Sequence, residues 1–156
     1  MWFIRLIYSF CFFSAITASA QVNLPDPVND VPLMESELKA VFSGQTHRGT
    51  YNFQRLNFKS YGFEETTSDT GQVIHIQDGH TDTGTYKIQG NEICFNYEPN
   101  ERGEFAQYNP ICFNIYQRGN CYYHYQRSVR NNRTVRGFTA RSVIKGDNPS
   151  CAPQIS

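Results

Sequence analysis

Residues 92–125, EICFNYEPNERGEFAQYNPICFNIYQRGNCYYHY, decide the fold because they carry three cysteines on three runs of alternating residues. Apolar side chains occupy every second position around Cys94 and again around Cys112. Two breaks rich in turn-forming residues separate the three runs. A period of two is typical of strands that bury one face. The segment therefore predicts three consecutive strands of an antiparallel sheet.

The same alternation indicates how the cysteines pair. If the first two runs pair antiparallel around the loop 99–110, Cys94 lies opposite Cys112, on the face away from the apolar side chains. We therefore expect a Cys94–Cys112 disulfide, which leaves Cys121 to pair with Cys151 and fix the C-terminal tail. In the chain-entropy treatment each bridge stabilises the fold by about 3–4 kcal/mol. The competing hypothesis, a zinc site, is disfavoured because these cysteines lack the close spacing of a zinc knuckle.

The first twenty residues have the pattern of a secretory signal peptide. Met1–Arg5 carries one positive charge, residues 6–17 form an apolar run, and Ala18-Ser19-Ala20 is a small-residue cleavage site. A transmembrane helix needs about 20 apolar residues, so this run is too short for a typical anchor. We expect cleavage before Gln21, with an uncleaved N-terminal anchor as the alternative. Export agrees with the even number of cysteines that remain, and it predicts a periplasmic or secreted protein.

One helix is predicted over residues 34–43, where apolar side chains recur at helical spacing. We expect Asp30 or Ser36 to cap its start, and Gly44 stands where a helix-terminating glycine belongs. The predicted apolar face consists of Met34, Leu38, Val41 and Phe42.

The sequence predicts an extended lead-in at 21–33 and a single disulfide-stapled β domain at 34–156. After Gly44 the alternation has period two, and short turn signals such as Asp78-Gly79 separate the runs. The fold class is therefore mainly β: a small antiparallel barrel or a strongly curved meander of about eight strands, with the helix covering one end. Outside the cysteine runs, the alternating positions are Tyr51 and Phe53, Tyr61 and Phe63, Ile74 and Ile76, Tyr86 and Ile88, the run 121–127 and the weaker run 134–144.

Several short motifs resemble a family of small exported bacterial proteins that is known only as a domain of unknown function. The resemblance spans about residues 37–121, and it implies an exported β domain of a bacterial envelope without implying an activity. Tyr86 stands where that family often has tryptophan. The matching motifs are Glu37-Leu38-Lys39-Ala40-Val41-Phe42-Ser43-Gly44-Gln45-Thr46, Asp78-Gly79, Gly84-Thr85-Tyr86-Lys87-Ile88 and Ile93-Cys94-Phe95.

The densest group of possible metal ligands is His75, His80 and Asp82, around the Asp78-Gly79 turn. A polar hairpin explains this group more simply than a metal site does. Nucleophilic catalysis is disfavoured because no Gly-x-Ser-x-Gly motif is present and the cysteines are expected in disulfides. Glu64 and Glu65 would face opposite ways on a strand, which does not suit shared acid–base chemistry. No nucleotide-binding glycine loop is present, so we expect neither an enzyme nor a cofactor.

Charge is distributed unevenly along the chain. Residues 118–145 hold seven Lys and Arg and no acid, whereas residues 21–117 hold six Lys and Arg against thirteen Asp and Glu. Such asymmetry suggests an anionic partner, although a basic edge also balances acidic strands or protects a sheet edge. Because the whole chain is neutral, no nucleic-acid partner is expected. The anion-binding candidates are Arg127, Arg130, Arg133, Arg136 and Arg141, and Asn132 is a glycosylation site if the source is eukaryotic.

The tyrosine-rich run Tyr122-Tyr123-His124-Tyr125 admits two interpretations. It is either a strand buried on both faces, which we favour, or a strand whose second face lines the mouth of a pocket.

These patterns favour a secreted or periplasmic binding domain without catalytic activity, for an anionic envelope component or a small ligand. Its binding face is either the barrel interior or the arginine-rich edge. The alternative is a protein inhibitor of a secreted or host enzyme that presents the loop 99–110. A metal-dependent hydrolase built on His75 and His80 is a third hypothesis.

Overall fold

A computed structural model describes residues 23–52, 61–99, 109–127, 137–146 and 151. One short helix precedes eight strands in this part of the chain. They are α1 (Glu35–Phe42), β1 (Thr46–Tyr51), β2 (Gly62–Thr67), β3 (Gln72–Gln77), β4 (His80–Gln89), β5 (Glu92–Tyr97), β6 (Ile111–Arg118), β7 (Cys121–Gln126) and β8 (Ala140–Ile144).

The strands form a closed barrel. Each pairs antiparallel with the next, and β8 pairs with β1, for example Ser142 with Gly49. The mainly β prediction is confirmed, and of its two versions the structure has the barrel. Closure leaves no unpaired sheet edge between the first and last strands.

Helix α1 lies across one end of the barrel. Leu38 and Phe42 are fully buried, whereas Met34 precedes the helix and is 50% exposed. The predicted cap was wrong: Asp30 is held by the Asp26 amide and Arg118, and the Met34 amide donates to Glu37 Oε2 at 2.8 Å. Ser36, the other predicted cap, lies inside the helix. The predicted terminator was right, since Gly44 has φ of +69°.

The two ends of the barrel have different connections. At the helix end, called the closed end, tight turns at 68–71, 90–91 and 119–120 join the strands. At the opposite end, called the open end, the strands are joined by the long segments 52–61, 98–110 and 127–139 and by the Asp78-Gly79 turn. Residues 53–60, 100–108 and 128–136 of these long segments lie outside the described residues.

In strand β3, the face that points into the barrel is the one opposite to its isoleucines. Ile74 and Ile76 are 43% and 41% exposed, whereas Val73, His75 and Gln77 are buried. The physical reason is register, because His75 pairs with the inward-facing residue of β2 at position 65 and not with its outward neighbour. Two strand boundaries also differ from prediction. Strand β1 begins at residue 46, earlier than the alternation at Tyr51 and Phe53 indicates, and β8 begins at 140 instead of 134. Residues 53 and 134–136 lie outside the described residues.

Both predicted disulfides are present. Cys94 pairs directly with Cys112 across β5 and β6, on the outer face, and Cys121 bonds Cys151. Each bridge removes loop entropy from the unfolded chain and stabilises the barrel by about 3–4 kcal/mol in that treatment.

Strand β7 is buried on both faces, as favoured from the sequence. Its outer tyrosines, Tyr123 and Tyr125, belong to a second apolar cluster outside the barrel. The lead-in covers part of this cluster, because Tyr125 Oη donates to the Pro25 carbonyl at 2.6 Å and the Leu33 amide donates to the Ile115 carbonyl at 2.7 Å. Lead-in and barrel thus form one packed unit.

Candidate functional site in the barrel interior

Four titratable residues form a row around the inside of the barrel. They occupy neighbouring positions on β1 to β4, since position 47 pairs with 65, 65 with 75, and 75 with 82. All four are buried, although none is apolar. An interior built for stability alone would place apolar side chains here, because each buried polar group must find a partner. The row consists of His47, Glu65, His75 and Asp82.

Glu65 is the buried carboxylate at the centre of this row. Tyr97 Oη donates to its Oε2 at 2.6 Å, and His75 Nδ1 lies 3.4 Å from the same oxygen. Burial raises the pKa of Glu65, but the contacts with His75 and Tyr97 outweigh burial and leave that pKa below its usual value. The interior therefore holds an ionised carboxylate at neutral pH.

Aromatic rings pack around His75, the neighbour of this carboxylate, on the side of the open end. Tyr51 Oη lies 3.4 Å from His75 Nε2, and the Phe63 ring is 4.8 Å from that of Tyr51 and 5.3 Å from that of His75. The Tyr97 ring lies 6.0 Å from the His75 ring in an edge-to-face arrangement. Glu65, His75, Tyr51, Phe63 and Tyr97 are called the open-half cluster below.

A glycine creates the space for Phe63. A Cβ at Gly49 would lie 2.3 Å from Phe63 Cζ and 2.7 Å from the Arg141 carbonyl oxygen. Any larger residue would displace the ring or the backbone of β8. Gly49 therefore fixes where the aromatic wall of the open-half cluster stands.

A second polar chain runs deeper in the barrel. His47 Nε2 lies 2.8 Å from the Val41 carbonyl, which can only accept, so this nitrogen carries the proton. His47 Nδ1 then accepts from Ser142 Oγ at 3.0 Å, and Ser142 Oγ accepts from His124 Nε2 at 2.8 Å. The chain ties β7 and β8 to the last turn of α1.

Both histidines of this chain are uncharged at neutral pH. Burial lowers the pKa of His124 to about 4, against the attraction of Glu65. Burial also lowers the pKa of His47, although its bond to the Val41 carbonyl and the charge of Glu65 oppose this. Neutral imidazoles suit the hydrogen-bond directions of the chain, since each ring donates through one nitrogen only.

The residues proposed for a metal site do not converge. His75 points into the barrel, whereas His80 is exposed beside the Asp78-Gly79 turn. Asp78 has φ of +52° and Gly79 of +75°, as the polar-hairpin interpretation expects. Among the described residues, three possible ligands meet only at Glu92, Cys94 and Cys112, and the two cysteines there form a disulfide.

The arginine-rich edge is described only at its two ends. Arg127 forms an ion pair with Glu92, and Arg141 Nε lies 3.4 Å from Thr50 Oγ1. Both stand at the open end, where β7 ends and β8 begins. Arg130, Arg133, Arg136 and Asn132 lie outside the described residues, so anion binding there stays a prediction.

Sequence reasoning missed the inward-facing residues His47, Glu65 and Ser142. One signal was available, because the strand residues 46–51 contain no aliphatic side chain on either face. A barrel strand without aliphatic residues must present polar, small or aromatic residues to the interior. The predicted opposite facing of Glu64 and Glu65 is confirmed, since Glu64 bonds Arg48 and Lys145 on the outside.

Comparisons with known proteins do not assign the chain to a family. No model of a known protein family matches the chain, and no curated protein matches it. The resemblance to the exported bacterial family therefore stays a prediction. Within the described part of the chain no helix has the length and apolarity needed to cross a bilayer.

Proposed function

We propose that this protein is a secreted or periplasmic binding domain without catalytic activity, which holds a small ligand in the open half of its barrel. The carrying observation is the open-half cluster. Eight-stranded barrels are just wide enough to be filled by side chains or to hold one small ligand. A set of convergent polar groups and aromatic rings near the barrel mouth is typical of such ligand sites.

Binding suits these groups better than catalysis does. Ser142, the hydroxyl nearest to histidines, is 1% exposed and shares its hydrogen bonds between His47 and His124. A nucleophile needs contact with its substrate, and this hydroxyl lies deep in the barrel below α1. The two disulfides and the close packing of the closed end give a rigid frame, which favours binding because little order is lost.

The test is an NMR titration of amide shifts with a library of small neutral, anionic and cationic organic molecules. A ligand of the interior should shift the amides of Tyr51, Phe63 and Tyr97, while those of Leu38 and Ile93 at the closed end serve as controls. The variant Ile74→Thr, altered only on the outer face, should bind equally well. Shifts confined to outer-face residues, or none with any compound, would contradict an interior site.

An anionic envelope component on the arginine-rich edge remains the other version of the binding proposal. Charge asymmetry supports it, and salt should weaken such binding. The triple variant Arg130→Ser, Arg133→Ser, Arg136→Ser should lose binding to lipopolysaccharide vesicles. If the variant binds them as the unaltered protein does, this version is refuted.

Inhibition of a secreted or host enzyme is the second candidate function, because the loop that starts at 98 is clamped at its base. Asn109 Oδ1 accepts from the Tyr97 amide at 3.0 Å, and Asn109 Nδ2 donates to the Tyr97 carbonyl at 2.6 Å. The Cys94–Cys112 bridge joins the same two strands. Capture of one stoichiometric enzyme from culture medium, lost when the segment 100–108 is replaced by a Gly/Ser linker, would support inhibition.

A further inference from the structure

We propose that the Cys94–Cys112 disulfide is a thiol–disulfide exchange site on the outer face of the barrel, which accepts two electrons from a small dithiol while Lys87 stabilises the departing thiolate. The inference is independent of the proposed interior ligand, because it concerns the opposite face of the barrel wall. The bridge is the electrophile of a stoichiometric exchange, whereas the Cys121–Cys151 bridge keeps a structural role.

The first argument is the row of residues that crosses the outer face from β4 to β7. Lys87 on β4 pairs directly with Cys94, which pairs directly with Cys112. The Arg127 amide donates to the Cys112 carbonyl at 2.8 Å, so Arg127 lies on the other side of the bridge. Directly opposite residues share one face, with Cβ atoms about 4.5–5.5 Å apart. The disulfide therefore lies between two cationic residues.

The second argument is what a cation does to the leaving group. A cysteine leaves a disulfide as a thiolate, and it leaves faster when that thiolate is stabilised by a nearby lysine or arginine. Lys87 is exposed and takes part in no ion pair with a described residue, whereas Arg127 is paired with Glu92. Lys87 is therefore the cation that is available to the thiolate of Cys94.

Glu92 is the acid beside the bridge. One of its carboxylate oxygens and the two sulfurs of the bridge lie within 4.8 Å of one another. This carboxylate alone would repel a thiolate, but its ion pair with Arg127 offsets its charge. With Lys87 included, two cations stand against one anion around the bridge, and the balance favours a thiolate.

The third argument is the contrast with the other disulfide. Cys121 is 4% exposed and belongs to the apolar cluster outside the barrel, whereas both cysteines of the first bridge are partly exposed. Arg118, which lies opposite Cys121, is engaged in an ion pair with Asp30. Attack on Cys151 would leave the thiolate on Cys121, in apolar surroundings that disfavour it. The Cys121–Cys151 bridge should therefore resist exchange.

The exchange takes place in two steps. A thiolate of the dithiol bonds Cys112 Sγ, and the electron pair of the S–S bond passes to Cys94 Sγ beside Lys87. The second sulfur of the reagent then bonds the first and displaces Cys112 as a thiolate. The products are the disulfide of the reagent and two protein thiols, so two electrons and two protons are transferred. Backbone pairing of β5 with β6 keeps the two thiols adjacent, and reoxidation restores the bridge.

The experiment measures which disulfide is reduced first in the folded protein. The disulfide-bonded protein is treated with dithiothreitol at neutral pH, samples are alkylated with iodoacetamide at intervals, and peptide mass spectrometry quantifies the label on each cysteine. Cys94 and Cys112 should be labelled together, at least about 10-fold faster than Cys121 and Cys151. Circular dichroism and amide NMR shifts should still report the folded barrel after this first reduction.

Two substitutions that each remove one positive charge test the leaving group. Lys87→Gln should slow the reduction of Cys94–Cys112 by at least about 3-fold, because the thiolate loses its cation. Lys39→Gln, which alters an exposed lysine of α1, should leave the rate unchanged. Circular dichroism checks that both variants are folded.

Earlier reduction of Cys121–Cys151, or reduction of both bridges at the same rate, would overturn the proposal. Unfolding of the barrel when Cys94–Cys112 is reduced would overturn it too, since the bridge would then be structural. An unchanged rate in Lys87→Gln would refute the assigned role of Lys87.

Discussion

The closed and open ends of this barrel are formed by the same eight strands but are built in opposite ways. At the closed end, tight turns and α1 enclose an apolar core around Leu38 and Phe42. Side-chain hydrogen bonds connect the elements of this end: Tyr86 Oη donates to the Ser68 carbonyl at 2.7 Å, and Thr67 Oγ1 donates to the Phe42 carbonyl. At the open end, long segments join the strands and the interior holds Glu65 with its aromatic neighbours.

With the proposed interior ligand, this difference assigns stability to the closed end and recognition to the open end. Apolar burial contributes most where water is excluded on all sides, which is the closed end. Polar groups held in a rigid wall cost stability but supply directed contacts, which is what a ligand site requires. The comparison predicts that substitutions at the closed end act on unfolding and that those at the open end act on binding.

The largest effect is expected at the closed end, from Phe42→Ala. Removing this fully buried ring leaves a cavity beside His47 and Tyr122, and it should lower the free energy of unfolding by about 3–5 kcal/mol. Lys39→Ala, on the exposed side of α1, should change it by no more than about 0.5 kcal/mol. Guanidinium unfolding measures the free energy of unfolding of both variants. Equal losses would contradict the view that the buried core at the closed end supplies the stability.

The next effect is expected at His124, which belongs to the polar chain of His47 and Ser142 deep in the barrel. Its pKa is about 4 in the folded barrel and about 6.5 when unfolded, so the unfolded chain binds more protons between these values. Stability should therefore fall as the pH is lowered from 6.5 to 4, by up to about 3 kcal/mol for this group. His47, whose pKa is also lowered, adds to the loss in the same direction.

Urea unfolding at a series of pH values measures this dependence. His124→Gln should flatten it, and His80→Gln, which alters an exposed histidine, should leave it as it is. If the free energy of unfolding of His124→Gln fell with pH as steeply as that of the unaltered protein, His124 would not be the group responsible.

The smallest change in stability is expected on the outer face of β3, and it is compared with a substitution on the inner face. Ile74→Thr keeps a β-branched residue on the outer face and should change stability by less than about 0.5 kcal/mol. Val73→Thr, one residue earlier, places a hydroxyl in the core and should cost about 1–3 kcal/mol. Thermal unfolding of the two variants tests the assigned face, and the reverse order would refute it.

Alternation and turn chemistry predicted the framework because they are local. The Cys94–Cys112 pair, the helix ending at Gly44, the Asp78-Gly79 turn and the two-sided burial of β7 all followed from spacing. The face of β3 did not, because apolar residues occur on both of its faces and only the pairing with β2 selects one.

The open-half cluster could not be assembled from sequence for a related reason. Glu65 lies on β2 and Tyr97 on β5, far apart along the chain, and the folding of the strands into a barrel places Tyr97 Oη 2.6 Å from Glu65 Oε2. A buried glutamate also looks like a surface glutamate in the sequence, since its partners come from other strands.

The opposite facing of Glu64 and Glu65 has a consequence for how β2 assembles. If β2 slipped by one residue against its neighbours, Glu64 would enter the barrel without Arg48 and Lys145, and Glu65 would leave Tyr97 for water. A one-residue slip therefore loses ion pairs on the outer face and a hydrogen bond on the inner face at the same time. The contacts that select the register of β2 therefore also fix the position of Glu65 inside the barrel, so one pair of adjacent residues specifies both the assembly of the strand and the geometry of the open-half cluster.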